Sequence, residues 1–343
     1  MPNRMNLGRQ FRELIAGPEP LFGFGIGNAL EARLAEGAGI ECIYNGGYTE
    51  AMYHGVTDTG RRNMVEVRDS TWSIVENVNI PVIADIDDGY GNALNAMRTA
   101  SEFLGKEFID TTFGPPWRVK RLAGIHIEDQ RFPKRCGHIS GKETVSEEEF
   151  EGKVRAVSDV RNAFDRQAVI IARTDFYHSQ KYGSLTEAAR RIIRAAKAGA
   201  DLGWYEDNTT SRQNAQDFSR LVHEALPDFP LAFNYSPSLK WNLDPNPMTF
   251  EDLNAMGYKF IFVTIAAGHA SSKAVSEYAV DFSRFGASAL WNMQRIKYGH
   301  STGSHHEMAG VPRVQELERL YIPDAEERQK SGEGAGSDSV NRK

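Results

Sequence analysis

Residues 125–142 read I-H-I-E-D-Q-R-F-P-K-R-C-G-H-I-S-G-K. Ile125 and Ile127 alternate with His126 and Glu128, the two-residue period of a strand. Pro133 and Gly137 then break the chain into a loop. The loop holds one thiol, Cys136, flanked by Lys134, Arg135 and His138. Cations and an imidazole beside a thiol favour the thiolate, which is the reactive form. A basic surface loop with an incidental cysteine would read the same way locally, because free cysteines also serve as small hydrophobes.

Seven further apolar runs surround this one. The sequence predicts strands over Leu21–Gly25, Ile40–Tyr44, Pro81–Asp85, Ala123–Glu128, Ala168–Arg173, Leu202–Glu206, Leu231–Asn234 and Phe260–Thr264. Amphipathic segments lie between them, among them Asn28–Glu36, Ala93–Leu104, Glu147–Phe164, Leu185–Ala198, Ala215–Ala225 and Phe250–Ala255. A further helix is expected over Asn6–Ala16, stopped by Gly17-Pro18. Strand–helix alternation repeated eight times predicts an α/β fold, a (β/α)8 TIM-type barrel with a parallel sheet. The glycines of F-G-F-G-I-G at 22–27 lack the spacing of a dinucleotide loop and read as close barrel packing.

In such a barrel the chemistry sits at the C-terminal ends of the strands. Those ends carry Tyr44-Asn45-Gly46-Gly47, Asp85-Ile86-Asp87-Asp88, Glu128, Arg173-Thr174-Asp175, Glu206, Asn234-Tyr235-Ser236-Pro237-Ser238 and Thr264. Asp85, Asp87 and Glu128, with Asp58 from the loop after the second strand, are oxygen donors suited to Mg²⁺ or Mn²⁺. Helix caps and surface ion pairs are the alternative for these acids. Asn234, Ser236, Ser238 and Thr264 are neutral donors that would cradle a carboxylate whose charge grows. An Asx or Ser turn is the alternative there. Arg173 can fork onto a second carboxylate or pair internally with Asp175 or Glu206.

Composition limits the function classes. The chain has 343 residues, a net charge of −6 and no long basic block, which argues against a nucleic-acid partner. Its two cysteines, Cys42 and Cys136, argue against a disulfide framework and for a reducing, cytoplasmic setting. No apolar run is long enough for a membrane span, and the first ten residues lack a signal-peptide core.

The K-R-C-G-H of residues 134–138, preceded by E-D-Q at 128–130, resembles the lyase signature of the isocitrate lyase / phosphoenolpyruvate mutase superfamily. The resemblance runs from about Leu21 to about Ala270, and D-x-D-x-G-Y-G at 85–91 resembles that superfamily's metal site. A-F-N-Y-S-P-S-L-K-W at 232–241 is similar to the isocitrate lyase branch, whereas Arg135 is similar to the 2-methylisocitrate lyase branch. In Y-N-G-G-Y at 44–48, Gly46 stands where relatives carry serine and Tyr48 where they carry an aromatic residue. The amides of Asn45, Gly46, Gly47 and Tyr48 would still hold a small oxoacid, without the serine hydroxyl.

This resemblance implies a Mg²⁺-dependent retro-Claisen cleavage of a di- or tricarboxylate, isocitrate first and 2-methylisocitrate or another oxoacid as the alternative. It implies Cys136 as proton donor and Asn234, Ser236, Ser238 and Thr264 as the carboxylate cradle. Gly137 and Glu206 also face substrate, His138, Glu128 and Arg173 tune and position, and Tyr44 is the candidate base. The C-G-H loop argues against a mutase or phosphonate hydrolase. A non-catalytic barrel would be expected to have lost some of these groups. The resemblance also implies a homotetramer. The expected organisation is a barrel over 1–277, a helical extension over 278–324 that packs on a neighbouring subunit, and a disordered tail over 325–343. The stretch 106–120 reads as a surface insertion.

Overall fold

The computed structural model describes residues 3–110, 117–179 and 183–331. Eight parallel strands close into a barrel: β1 Leu21–Gly25, β2 Cys42–Asn45, β3 Val82–Asp85, β4 Gly124–Glu128, β5 Val169–Thr174, β6 Leu202–Tyr205, β7 Leu231–Asn234 and β8 Tyr258–Val263. Each strand pairs with the next in sequence, and β8 pairs back to β1 through Phe260–Leu21 and Ile261–Phe22. All eight strands fall where the sequence predicts them, shifted by at most two residues at an end. Sheets covered on both faces need apolar residues on both faces. V-I-A-D and V-I-I-A-R-T are accordingly buried at every position.

The apolar residues sort into two cores. Leu21, Cys42, Tyr44, Ile83, Val169, Ile171, Leu202, Trp204, Phe260 and Phe262 form one, with Leu7, Phe11 and Ile15 from the first helix. That helix, Leu7–Ile15, is capped by Asn6 and sets Phe11 edge-on against Phe260, 5.1 Å between ring centres. The second core holds Ile43, Val82, Ile125, Ile170 and the inward faces of the surrounding helices. The expected close packing at F-G-F-G-I-G is present. A Cβ on Gly23 would stand 2.7 Å from Phe260 and Phe262, and one on Gly25 would overlap the Thr264 carbonyl.

Short polar side chains start the helices. Asn28, Asn63, Asn92, Ser146, Ser184, Ser211 and Thr249 each accept a bond from a first-turn N–H. Two short strands, Phe108–Asp110 and Arg118–Lys120, bracket the 106–120 stretch, whose residues 111–116 lie outside the described residues.

The chain divides into two compact units. Arg4–Ile109 with Val119–Gly268 is the barrel unit; Met1–Asn3, Asp110–Arg118 and His269–Lys343 form the other. The division expected after residue 277 instead falls inside a continuous helix, Ala266–Phe285. The second unit continues with helices Ala287–Lys297, His305–Met308, Val311–Tyr321 and Ala325–Ser331. The last of these corrects the expected disordered tail. Ala325 is buried, and the Gln329 amide donates to the Gln315 carbonyl and to Glu318. The rest of that tail, 332–343, lies outside the described residues. Phe282, Phe285, Trp291 and Tyr321 are exposed. No helix among the described residues is long and apolar enough to cross a membrane.

Candidate active site

Strand direction gathers the polar strand ends at one mouth. A pocket there is lined by Tyr44, Gly47, Tyr48, Asp58, Asp85, Lys134, Cys136, Gly137, His138, Arg173, Trp204, Glu206, Asn234, Ser236, Pro237, Ser238, Thr264 and Ile265. The 134–142 loop thus comes down on the mouth, bringing Cys136 from one side and facing the β7 and β8 ends on the other.

The loop is held by its own backbone. The Cys136 N–H donates to the Asp58 carbonyl at 2.9 Å, and the Gln130 side chain bonds both the N–H and C=O of Arg135. Gly137 is required here, because a Cβ would overlap Arg173 and stand 2.7 Å from Glu206. His138 Nδ1 lies 3.3 Å from Glu206. Burial lowers the His138 pKa, so the ring is held neutral. Cys136 is half-buried. Burial first, then the nearby charges of Asp58 and Glu206, push its pKa up to about 11. The expected thiolate is therefore corrected to a protonated thiol. Lys134 and Arg135 flank it in sequence, but Lys134 is spent on carboxylates and Arg135 is exposed, its guanidinium on the Ser140 carbonyl. A thiol that keeps its proton suits the donor role better than the nucleophile role.

The acidic side is dense. Lys134 Nζ lies 2.6 Å from Asp58 Oδ1 and 2.7 Å from Asp87 Oδ1, all three side chains buried. Breaking such a buried pair typically costs about 3–5 kcal/mol. Asp85 accepts from the Gly47 and Asp87 N–H groups at 2.9 and 2.8 Å, and its Oδ1 lies 3.1 Å from His126 Nδ1. Burial opposes ionisation of Asp85, but His126, Lys134 and the Gly47 amide outweigh it and hold the pKa well below the usual carboxylate range. Asp87 goes the other way. Burial and its like-charged neighbours Asp85 and Asp58 push its pKa up to about 7, against the pull of Lys134. Glu128 is likewise raised by burial, and its Oε1 is buried with no hydrogen-bond partner.

This donor set fits a hard divalent cation. Its atoms are carboxylate oxygens, it holds a raised Asp87 and an unpartnered Glu128 oxygen, and Gly47 lets backbone close to Asp85 and Asp87. A Cβ on Gly47 would lie 3.0 Å from Asp87 Oδ1. Among the described residues no three His, Cys, Asp or Glu side chains converge as a ready-made cage. The arrangement suits an ion held by one or two carboxylates and otherwise by water and substrate oxygens, the habit of Mg²⁺. Asp58, expected as a ligand, shares the Lys134 ammonium with Asp87.

Arg173 takes its internal alternative. It forks onto Asp175 at 2.7 and 2.9 Å, reaches Glu128 at 3.3 Å and lies over the Trp204 ring. Asn45 is expected to offer its backbone amide; its side chain is fully buried and braces the loop from beneath, donating to the Ile26 carbonyl and Glu50 and accepting from Thr71. Tyr44 lines the pocket, but burial raises its pKa well above the usual phenol value. Its hydroxyl lies 3.3 Å from His126 Nδ1. The phenol keeps its proton at neutral pH, as an unperturbed phenol also does.

Across the pocket the neutral side is linked internally. Thr264 Oγ1 donates to Asn234 Oδ1 at 2.9 Å, and Asn234 Nδ2 donates to Glu206 Oε1 at 3.1 Å. Ser236 is buried and accepts from the Ser238 N–H. Sequence reasoning missed Lys134 as a counter-cation, and Trp204, Pro237 and Ile265 as pocket wall. Lysine is almost always exposed, so nothing in a loop sequence marks a buried one.

The phosphoenolpyruvate phosphomutase family profile matches residues 11–282. The chain is 36% identical to the isocitrate lyase of Haloferax volcanii, over 95% of this chain and 90% of that one. It is 30% identical to the 2,3-dimethylmalate lyase of Eubacterium barkeri, over 92% and 99%. It is 32% identical to the 2-methylisocitrate lyase of Halalkalibacterium halodurans, over 79% and 80%. Solved structures of similar fold include oxaloacetate acetylhydrolase with 3,3-difluorooxalacetate, TM-score 0.74 at 25% identity, covering 92% and 96% of the chains. Another is phosphonopyruvate hydrolase with oxalate and Mg²⁺, TM-score 0.72 at 25% identity, covering 93% and 100%.

Proposed function

This chain belongs to the phosphoenolpyruvate mutase / isocitrate lyase superfamily, and from that premise we propose that it cleaves isocitrate to succinate and glyoxylate. The observation that carries the reading is the placement of Cys136, a protonated thiol, in one pocket with the neutral set Asn234, Ser236, Ser238 and Thr264. A carbon–carbon lyase needs both: donors for a carboxylate whose charge grows, and an acid for the carbanion carbon.

The substrate's 2-hydroxyl loses its proton to Glu206, the pocket-wall carboxylate that neither pairs with Lys134 nor belongs to the cation site. The bond between the hydroxyl-bearing carbon and its neighbour breaks, and its electron pair moves onto the departing half. The carboxylate of that half becomes an aci-anion, which Asn234, Ser236, Ser238 and Thr264 hold by hydrogen bonds. Cys136 gives its proton to the carbanion carbon and becomes a thiolate, and the proton taken from the hydroxyl restores it. Asp85, with Asp87 and Glu128 behind it, would hold Mg²⁺ or Mn²⁺. When bound, the ion supplies positive charge that polarises the forming carbonyl. Arg173, fixed by Asp175, orients Glu128 and the wall behind the thiol. The exposed aromatic side chains of the C-terminal unit support a further reading, a homotetramer in which that unit is covered by another subunit.

2-Methylisocitrate is the second reading, supported by Arg135 in the thiol loop and by the 2-methylisocitrate lyase among the relatives. The two substrates differ by one methyl group, which a pocket distinguishes by about 1–3 kcal/mol. Measuring kcat/KM for both, by release of glyoxylate and of pyruvate, decides between them. The expected ratio favours isocitrate with slow turnover of the methylated substrate. A ratio favouring 2-methylisocitrate overturns the choice of substrate, and no turnover of either overturns both substrate readings and points to another oxoacid.

A further inference from the structure

The thiol loop begins and ends with a buried lysine, and the second has no part in the reaction just described. Lys142 has 1% of its side chain exposed, near the limit of burial for a charged group. Such an ammonium persists only when paired and hydrogen-bonded. Lys142 Nζ makes two contacts of different kinds. It donates to the carbonyl of Gly137, the residue between Cys136 and His138, and it lies 3.0 Å from Asp175 Oδ1. The same Asp175 oxygen accepts from Arg173 NH2 at 2.9 Å, and the other carboxylate oxygen accepts from Arg173 Nε at 2.7 Å. Arg173 in turn reaches Glu128 and covers the Trp204 ring. Asp175 is fully buried, and two cations hold its charge.

We propose that Lys142 is a positioning residue that sets the depth of the Cys136 loop and the orientation of the Arg173 fork together, through the Gly137 carbonyl and Asp175. The inference rests on the reading of the pocket given above. It deepens that reading by naming a residue outside the pocket wall that fixes two of its parts. Gly137 gives the reason the depth matters. There is no room at that position even for a Cβ, because Arg173 and Glu206 fill the space. The loop therefore has one seating against Arg173, and the lysine that draws its carbonyl down also anchors the aspartate that aims the arginine. Without Lys142 the Gly137 carbonyl loses its donor and Asp175 keeps one cation. The loop lifts, and Arg173 becomes free to turn toward Glu128 alone.

The test uses the full-length chain with Lys142→Met, which keeps most of the side-chain volume and removes the charge and the donors. Lys142→Arg keeps the charge. Two readouts are taken. The first is the rate at which iodoacetamide labels Cys136 at pH 8, followed by peptide mass; Cys42 is fully buried and serves as the internal control. The second is the split between kcat and KM. Lys142→Met is expected to label at Cys136 several-fold faster, with Cys42 unchanged. Its kcat is expected to fall on the order of 10²-fold with KM changed only a few-fold, since a misplacement of about 1 Å at a reacting group costs that much. Lys142→Arg is expected to recover part of both. If Lys142→Met fails to fold, Lys142→Gln, which keeps a donor for the Gly137 carbonyl, carries the same measurements with smaller expected changes. Cys136 labelling and kcat at wild-type values in a folded variant, with only the melting temperature lowered, would overturn the proposal. The labelling arm needs no substrate. A wild-type enzyme that cleaves neither isocitrate nor 2-methylisocitrate, yet shows the labelling difference, sinks the substrate reading and leaves the positioning role standing.

Discussion

The two walls of the pocket solve opposite problems. On the side of β2, β3 and β4, charge is abundant and already matched: Lys134 sits between Asp58 and Asp87, His126 sits beside Asp85, and Arg173 is bound by Asp175 and Glu128. On the side of β7 and β8 there is no formal charge, only the amide of Asn234 and the hydroxyls of Ser236, Ser238 and Thr264. A substrate carboxylate meets the neutral wall without displacing an ion pair. The charged wall, where Glu128 Oε1 is buried without a hydrogen-bond partner, is the one that fits a metal. The contrast matches a reaction in which one half of the substrate becomes a carbonyl and the other a carboxylate-stabilised carbanion.

Removing the metal breaks the charged wall and has the largest expected effect. A chelator should abolish turnover, and added Mg²⁺ or Mn²⁺ should restore it. Full turnover in metal-free buffer would show that the carboxylates are structural ion pairs. Next comes the acid between the walls. Cys136→Ser should lower kcat by roughly 10²–10⁴ with KM little changed, the usual cost of losing a positioned general acid. Steady-state kinetics on the purified variant check this, and an unchanged kcat would make the cysteine a packing residue.

The neutral wall should be worth less per residue. Ser236→Ala should cost about 10²–10³ in kcat, as removal of one pre-aimed donor does. A change confined to KM would mean that the serine binds the ground state and the transition state equally. The smallest effect is a pH profile that asks whether the charged wall keeps the thiol protonated. The thiolate is the species alkylated, and a raised pKa means less thiolate at neutral pH. Labelling of Cys136 should therefore be slow at pH 7 and rise about tenfold per pH unit up to its pKa, pushed up to about 11. A plateau reached below pH 8 would mean that the flanking cations, not burial and the nearby acids, govern the thiol.

The barrel was legible because its signal is local. Each strand is an apolar run and most of the barrel's longer helices begin at an Asn, Ser or Thr that accepts the first N–H bonds, so neighbours in sequence suffice to place them. Most of the pocket followed, since parallel strands deliver their C-terminal residues to one mouth whatever their partners. Asp85, Cys136, His138, Glu206, Asn234, Ser236, Ser238 and Thr264 could be named before any contact was seen. The helical end of the tail was hidden by its charged composition.

Apolar periodicity along the chain is enough to place the closed barrel, the order of its strands and the set of side chains that its mouth exposes. The tertiary structure decided their states. Cys136 has cations beside it in the chain, yet burial, and after it the charges of Asp58 and Glu206, keep it a neutral thiol, while Lys134 is paired with Asp58 and Asp87. Asn45 belongs to a buried network with Glu50 and Thr71, although its position beside Gly46 suggests the pocket. Lys142 is buried against Asp175, 33 residues away in the chain. The physical reason is common to all three. Which residue ends a strand is set by backbone periodicity, but protonation and pairing are set by burial and by charges brought within about 4 Å, and those neighbours come from distant parts of the chain.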